Sequence, residues 1–236
     1  MKETYQFVLV RHGQSLWNTQ HRLTGWADVG LTKHGEQQSA AAGQLLAKCG
    51  FGFDDAFTSQ LRRASDSLAI VLENMGHSEV AVQQHWRLNE RHYGALEGLG
   101  PLSGVFKFGL RRFVQCQRQF DVMPPLLDLS DPRYPGNQKR FAEIPSAALP
   151  RAESMHQAWQ RVIPVWDDEM KPAIRSGRRL LVVAHKNILR ALIKQITGVD
   201  GSAVERMSIK TGRPLVYEMN KEFRVQAHYF LDDLKS

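Results

Sequence analysis

The chain has 236 residues, of which 42% are hydrophobic and 23% are charged, proportions typical of a soluble globular protein with a sizeable core. Its 31 lysines and arginines exceed its 24 aspartates and glutamates but are spread along the chain, which favours a small anionic ligand over nucleic acid. The sequence contains no apolar run of membrane-spanning length, and the start MKETYQ lacks a signal-peptide layout, so we expect a cytoplasmic protein with no membrane partner.

We expect one domain over residues 1–236, because no linker, low-complexity tract or repeat divides the chain. The elements predicted in chain order are a strand at 6–10, a helix at 33–48 with Thr32 as N-cap, a strand at 55–58, a helix at 61–75, a strand from 80, an irregular substrate-covering insertion at about 98–150, a helix at 153–174, a strand at 180–184, a helix at 188–196, and strands at 215–219 and 224–230. This alternation indicates an α/β fold with a mostly parallel central sheet flanked by helices on both faces.

Two predicted strands end in a histidine. FVLVRHG places His12 after the first strand, and LLVVAHKN places His185 after a later one. Ligands of parallel sheets lie beyond the carboxyl ends of the strands, so both side chains are expected in one crevice. Either histidine alone could be a hydrogen-bonded residue at a strand end. The pair, with Arg11 beside one and Asn187 near the other, favours a functional site.

The residue types in this crevice suit phosphoryl transfer. A neutral imidazole can attack phosphorus when fixed cations hold the oxygens of the phosphoryl group. Arginine is suited to that task because its planar fork stays charged and can bind two oxygens, and Arg11 and Arg63 are the candidates. The leaving alkoxide must receive a proton, and Glu90 is the candidate acid.

Seven ordered motifs resemble the cofactor-dependent phosphoglycerate mutases of the histidine phosphatase superfamily. They are RHGQSLWN, LTGW, TSQLRRA, LNERHYGAL, RYPG, AHKN and TGRPLVYE, and they run from about residue 7 to 230. The resemblance implies a sheet flanked by helices, a phosphohistidine intermediate, no metal, and 2,3-bisphosphoglycerate or a similar phosphoryl primer. It also implies a small phosphorylated substrate and a possible homodimer.

The same resemblance assigns roles to individual residues. His12 would be the phosphorylated nucleophile and Glu90 the proton donor and acceptor. The phosphate pocket would comprise Arg11, Arg63 and His185, with Asn18 and Asn187 adding hydrogen bonds. The substrate end would be lined by Thr24, Gly25, Arg91 and Tyr93.

The chain departs from the family at the far end of the substrate site. Gly100 and Pro101 stand where the family usually has an Asn-Lys pair, and a tandem arginine pair is reduced to Gln117 and Arg118. Lys186 replaces the family's small glycine after the second histidine. We therefore expect Arg118 and Lys186 to bind substrate, with Lys186 replacing a lost cation or pointing to solvent.

Three functions remain open from the sequence. The leading one is a mutase-type isomerisation of a small phosphorylated carboxylic acid. The second is a phosphatase or phosphotransferase for a different phosphorylated metabolite, favoured by Pro101, Gln117, Lys186 and a short tail. The third is a non-catalytic phosphometabolite-binding protein. It is disfavoured because all five residues expected to carry the chemistry are present, namely Arg11, His12, Arg63, Glu90 and His185.

Overall fold

A computed structural model of the protein describes residues 4–235. In this range the chain forms six strands, which are β1 (Tyr5–Arg11), β2 (Asp55–Thr58), β3 (Ala81–Gln84), β4 (Leu180–Ala184), β5 (Pro214–Met219) and β6 (Val225–Phe230). They form one sheet in the order β3-β2-β4-β1-β5-β6. Neighbours from β3 to β1 pair in parallel, whereas β5 pairs antiparallel with both β1 and β6. The predicted mostly parallel sheet is confirmed.

The α-helices of the described residues all lie between strands in the sequence. They are α1 (Leu16–Thr19), α2 (Lys33–Lys48), α3 (Arg62–Met75), α4 (Pro101–Phe108), α5 (Leu110–Arg118), α6 (Met155–Pro164), α7 (Lys171–Arg175), α8 (Lys186–Thr197) and α9 (Gly201–Arg206). The predicted cap of α2 is confirmed, because the Thr32 side chain accepts the Gly35 N–H at 3.0 Å. From residue 4 to residue 235, no helix combines the length and apolarity needed to cross a bilayer.

Alternating residues of the central strands face two different helical layers. In β1, Phe7 and Leu9 pack with α6 and α8, whereas Val8 and Val10 pack with α2 and α3. Strand β4 alternates in the same way. Burying each such side chain stabilises the folded chain by about 1.5–3 kcal/mol, so the sheet is stabilised by packing on both faces. The prediction of helices on both faces is confirmed.

Two predicted elements differ from the structure. The segment predicted as irregular contains two helices, α4 and α5. Pro101 does not prevent α4, since it occupies the first helical position, where its missing N–H and fixed φ are tolerated. The helix predicted over 153–174 is interrupted between α6 and α7 by a π-helical segment, Val165–Met170, which begins directly after Pro164. A periodic pattern alone does not distinguish these helix types.

Candidate active site

The register of the sheet brings the two strand-end histidines together. Arg11, the last residue of β1, pairs with Ala184, the last residue of β4, and the next N–H, that of His12, donates to the Ala184 carbonyl at 2.9 Å. The His12 and His185 rings are 5.1 Å apart between centroids, and both are buried. The expected convergence of the two strand ends agrees with this geometry, but the fully buried His185 ring does not line the adjacent cavity.

A cavity of about 150 Å³ opens beside these rings. This volume suits a small metabolite, since pockets for drug-sized ligands begin at about 300 Å³. Its lining includes ten of the residues singled out from the sequence, Arg11, His12, Asn18, Thr24, Gly25, Arg63, Glu90, Tyr93, Lys186 and Asn187. Arg22 and Leu23 complete the lining, while His185, Arg91 and Arg118 lie outside it.

His12 is held as a neutral imidazole with one nitrogen free. Its Nδ1 lies 2.6 Å from the Gly13 carbonyl, which can only accept, so Nδ1 carries the proton and Nε2 carries the lone pair. Burial, together with the charges of Arg63 and Arg11, lowers the pKa of His12 well below its usual range. The ring is therefore unprotonated at Nε2 at neutral pH, as a nucleophile requires.

Gly13 allows the turn after β1 to pass under α2. A Cβ at this position would lie 2.1 Å from the Gly35 carbonyl oxygen of α2. The Gly13 N–H donates to Ser67 Oγ on α3 at 3.0 Å, which ties the turn to the second helix as well. The glycine of the RHG motif is thus a requirement of close packing.

Arg63 is fully buried at the start of α3 and is held by two backbone carbonyls. Its Nη2 donates to the Gly25 carbonyl at 2.8 Å and its Nη1 to the Ala27 carbonyl at 2.9 Å. Burial lowers the pKa of Arg63 to about 10, which leaves the guanidinium charged at neutral pH. Gly25 adopts a φ of +53°, and a Cβ there would lie 2.5 Å from Glu97 Oε2, so glycine is required in this loop.

Two further cations border the phosphate end. Arg11 Nη1 donates to the Ile209 carbonyl at 2.9 Å, while its buried Nε has no acceptor within residues 4–235. Lys186 begins α8 and lines the cavity, and its ammonium makes no hydrogen bond or ion pair inside the described part of the chain. Burial, Arg190 and Arg11 lower the pKa of Lys186. Both side chains therefore have donor capacity left for an anion.

Glu90 is the carboxylate of the cavity, and a buried ion pair fixes its backbone. The Glu90 carbonyl accepts from Trp26 Nε1 at 2.6 Å and from Arg161 Nη2 at 3.3 Å. Arg161 is itself paired with Glu153 at 2.5 Å between Nε and Oε1, and Glu153 Oε2 accepts the His92 N–H at 2.9 Å. Arg161 and Glu153 thus hold the chain on both sides of Glu90.

The remaining residues assigned from the sequence fall into two groups. Asn187 donates to the Tyr93 hydroxyl at 3.0 Å, and Asn18 uses its Oδ1 to cap α1, which leaves its amide N–H groups for a ligand. Arg91 is buried behind Tyr93, with its guanidinium 4.6 Å from the centre of that ring. Arg91 Nη2 donates to the Cys116 carbonyl, and Arg91 does not line the cavity.

Three of the residues that depart from the family pattern, Pro101, Gln117 and Arg118, lie outside the cavity lining. Pro101 begins α4, and Gln117 donates back to the Phe113 carbonyl of its own helix at 3.3 Å. Arg118 is exposed at the last position of α5. Lys186, the expected replacement for a lost cation, lines the cavity, whereas Arg118 does not.

Sequence reasoning missed Arg22, Arg161 and Glu153. Arg22 lines the cavity, with its Nε donating to the Gly98 carbonyl at 2.6 Å and its guanidinium 4.3 Å from the Trp17 ring. Its place directly before LTGW was a usable signal. Arg161 lies inside a helix, 71 residues from Glu90, and no local pattern connects the two.

Glu97 is a buried carboxylate that binds the loop whose Gly25 and Ala27 carbonyls accept from Arg63. Its Oε2 accepts the Trp26 N–H at 2.8 Å, and the Ala27 N–H is a second donor. Arg133 Nη1 donates to the Glu97 backbone carbonyl at 2.9 Å. Burial raises the pKa of Glu97 to about 7, although these N–H groups and Arg133 act in the opposite direction.

Glu97→Gln is expected to change how stability depends on pH. Because the folded chain holds the Glu97 proton more tightly, this group lowers the free energy of unfolding as pH rises from about 4.5 to about 7. The variant cannot ionise there. Its free energy of unfolding should match the wild type near about pH 4 and exceed it by about 3 kcal/mol at about pH 8.

Urea denaturation at a series of pH values measures this difference. Glu79→Gln, which removes an exposed carboxylate, is the matched control and should show no such trend. A difference between wild type and Glu97→Gln that stays constant with pH would contradict the effect of burial.

Comparison with known proteins agrees with this geometry. The sequence profile of the histidine phosphatase superfamily (branch 1) matches residues 7–103 and 129–229. The chain is 47% identical over 231 residues to the 2,3-bisphosphoglycerate-dependent phosphoglycerate mutase 1 of Nitrosomonas europaea, covering 98% of this chain and 99% of that protein. It is 43% identical over 226 residues to the enzyme of the same kind from Hamiltonella defensa, covering 96% and 91%.

A solved structure supports the fold independently. The structure described as mycobacterial hydrolase 1 superposes with a TM-score of 0.72 at 19% identity and covers 97% of each chain. At this identity the likeness concerns the fold alone. From the profile match and the two relatives, the chain belongs to the histidine phosphatase superfamily.

Proposed function

We propose that the chain is a phosphoglycerate mutase-type phosphotransferase that isomerises a small phosphorylated carboxylic acid through a phosphohistidine. The observation that carries the proposal is His12, a buried neutral imidazole with a free Nε2 at the wall of a cationic cavity. The mutase names of the two relatives, which match nearly the whole chain, support the same reaction. A homodimer and a cytoplasmic location belong to the proposal as expectations from the sequence.

In one half of the reaction, His12 Nε2 attacks a phosphoryl group of a bound bisphosphorylated acid. A bond forms from Nε2 to phosphorus while the bond from phosphorus to the ester oxygen breaks. Arg11 and Arg63 carry the positive charge that stabilises the phosphoryl oxygens in the transition state, and both are held by backbone carbonyls before substrate arrives.

Glu90 is assigned the proton transfer. The departing ester oxygen takes a proton from the Glu90 carboxyl group, which leaves a hydroxyl on the product and a carboxylate on the protein. In the other half the same carboxylate accepts the proton of the free hydroxyl group of a monophosphorylated acid, whose oxygen attacks the phosphohistidine while the bond from Nε2 to phosphorus breaks. The bisphosphate formed in this way reorients and returns its other phosphoryl group to His12, so the acid leaves as its isomer and no net proton is consumed.

The cavity suits a bisphosphorylated primer such as the one in the relatives' names. Its lining contains four cationic side chains and one carboxylate, so it favours a strongly anionic ligand; the cations are Arg11, Arg22, Arg63 and Lys186. When bound, 2,3-bisphosphoglycerate or a similar bisphosphate supplies the phosphoryl group that His12 carries between turnovers.

Lys186 is assigned the substrate carboxylate. Its ammonium, which has no hydrogen-bond or ion-pair partner within residues 4–235, borders the cavity one residue after His185, whereas Pro101, Gln117 and Arg118 do not line it. This arrangement also favours a second candidate, hydrolysis of a different phosphorylated metabolite. The far end of the site has fewer cations than the family pattern, so a bisphosphate is held less firmly while it reorients and water can take the phosphoryl group from His12. The two functions differ in the fate of the phosphoryl group.

Lys186→Gly is expected to raise the KM for 3-phosphoglycerate by between about 10- and 100-fold. A charge-assisted hydrogen bond to a carboxylate contributes about 1.5–3 kcal/mol, which gives this range. The KM for p-nitrophenyl phosphate, which has no carboxylate, should change by less than about threefold. Steady-state kinetics with catalytic 2,3-bisphosphoglycerate, recording 2-phosphoglycerate and inorganic phosphate together, measure both effects.

The same assay decides between the two functions in the wild-type protein. Formation of 2-phosphoglycerate in excess of inorganic phosphate supports the mutase, whereas phosphate release without isomerisation overturns it in favour of hydrolysis. Lys139→Gly removes an exposed lysine and is the matched control. An equal rise of KM for both substrates in Lys186→Gly would assign Lys186 to the phosphate end.

A further inference from the structure

Ser59 lies directly behind the phosphate pocket and contacts its second histidine. It follows β2, whose last residue, Thr58, pairs with Val183 of β4, so Ser59 lies beside the end of β4. The Ser59 side chain is fully buried, and its Oγ is 2.7 Å from His185 Nε2. Sequence reasoning assigned Ser59 no role, although it lies inside the TSQLRRA motif.

The direction of this hydrogen bond follows from the other partner of Ser59. The Oγ already accepts the Leu61 N–H at 3.1 Å. Within residues 4–235, the one acceptor within reach of the Ser59 hydroxyl proton is His185 Nε2. The hydroxyl therefore donates to Nε2, which must carry a lone pair.

A lone pair on Nε2 places the ring proton on Nδ1. Burial, with the charges of Arg63 and other nearby groups, lowers the pKa of His185 well below its usual range, so the ring is neutral and holds one proton. The Nδ1 atom is buried and has no hydrogen-bond partner among the described residues. Buried donors ordinarily have an acceptor, and this donor belongs to a ring whose centroid is 5.1 Å from that of the His12 ring, which makes a ligand held at His12 a candidate acceptor.

We propose that Ser59 is a positioning residue that fixes His185 as the Nδ1-protonated tautomer, so that Nδ1–H donates to a phosphoryl oxygen. The inference rests on the proposed function for the identity of that oxygen, and the tautomer itself can be observed without turnover. Ser59 does not touch the substrate in this scheme. It acts by disfavouring the alternative tautomer, in which Nε2 is protonated and the Nδ1 lone pair would repel an anion.

The wild-type protein provides the first test. In protein labelled with ¹⁵N at histidine, the His185 signals are assigned by their loss in His185→Gln. We expect a pyrrole-type Nδ1 and a pyridine-type Nε2 in the free protein at neutral pH. A protonated Nε2, or a doubly protonated ring, would overturn the proposal whether or not the protein is a mutase.

Ser59→Ala provides the second test, with Thr58→Val as matched control. Thr58 is the preceding buried residue, and its hydroxyl donates to the Val183 carbonyl at 2.8 Å without touching His185. In Ser59→Ala we expect a mixture of His185 tautomers and an affinity for inorganic phosphate about tenfold weaker, because the charge-assisted donor is no longer fixed. Thr58→Val should keep both the tautomer and the phosphate affinity.

These measurements separate the inference from the proposed function. Phosphate affinity is read by titration of the folded protein, so absence of mutase turnover would overturn the function and leave the Ser59 result intact. Loss of thermal stability in Ser59→Ala with an unchanged tautomer and unchanged phosphate affinity would overturn the positioning role.

Discussion

His12→Ala is expected to lose phosphoprotein formation completely and to lower turnover by about 10⁴-fold or more. The variant removes the His12 imidazole from a cavity that Arg11 and Arg63 also line, while the arginines remain. His185 cannot replace it, because its Nε2 is bound to Ser59. Incubation with radiolabelled 2,3-bisphosphoglycerate followed by intact-protein mass spectrometry measures the phosphoprotein.

The control for this variant is His34→Ala. His34 is an exposed histidine of α2 that contacts Gln38, so its loss should leave labelling unchanged. Labelling of His12→Ala at the wild-type level would show that another residue carries the phosphoryl group. The proposed function would then be wrong, because it rests on His12 as the nucleophile.

Glu90→Gln is expected to slow transfer from alkyl phosphates by about 10²–10⁴-fold, the usual contribution of general acid catalysis. An alkoxide leaving group needs a proton, and glutamine cannot supply one. A p-nitrophenolate leaving group needs none, so transfer from p-nitrophenyl phosphate should slow by less than about tenfold. The measurement is the rate of His12 phosphorylation from 2,3-bisphosphoglycerate, an alkyl phosphate, and from p-nitrophenyl phosphate.

Glu97→Gln is the matched control for leaving-group selectivity. It replaces a second buried carboxylate that does not line the cavity, so any effect should be equal for the two substrates. Equal slowing of both substrates by Glu90→Gln would remove Glu90 from the acid role and leave it a binding residue.

The parts of the fold that depend on local pattern were predictable from the sequence. The bounds of α2 follow from the cap at Thr32 and the helical spacing after it, and β4 follows from five consecutive apolar residues. The ends of these elements then placed His12 and His185. The convergence of Arg11, His12 and Arg63 on one cavity was predictable for the same reason, since these residues end a strand, follow it or lie in the first turn of a helix.

The order of the strands and the supporting contacts were not predictable in this way. The antiparallel pairing of β5 with β1 joins residues about 210 positions apart, such as Gln6 and Glu218, and nothing local specifies it. The same holds for the contact of Arg161 with the Glu90 carbonyl. The helices α4 and α5 were missed because Pro101 and Gly109 indicate turns, yet here they begin one helix and separate the two.

The burial of Arg63 has a consequence for the thermodynamics of binding. An arginine on a surface loses up to about 2 kcal/mol of side-chain conformational entropy when a ligand orders it. Arg63 is already fixed by the Gly25 and Ala27 carbonyls, so this loss occurs when the chain folds and not when the anion binds. Phosphate binding at this guanidinium should therefore show a smaller entropic penalty in calorimetry than binding at an arginine that no protein group fixes.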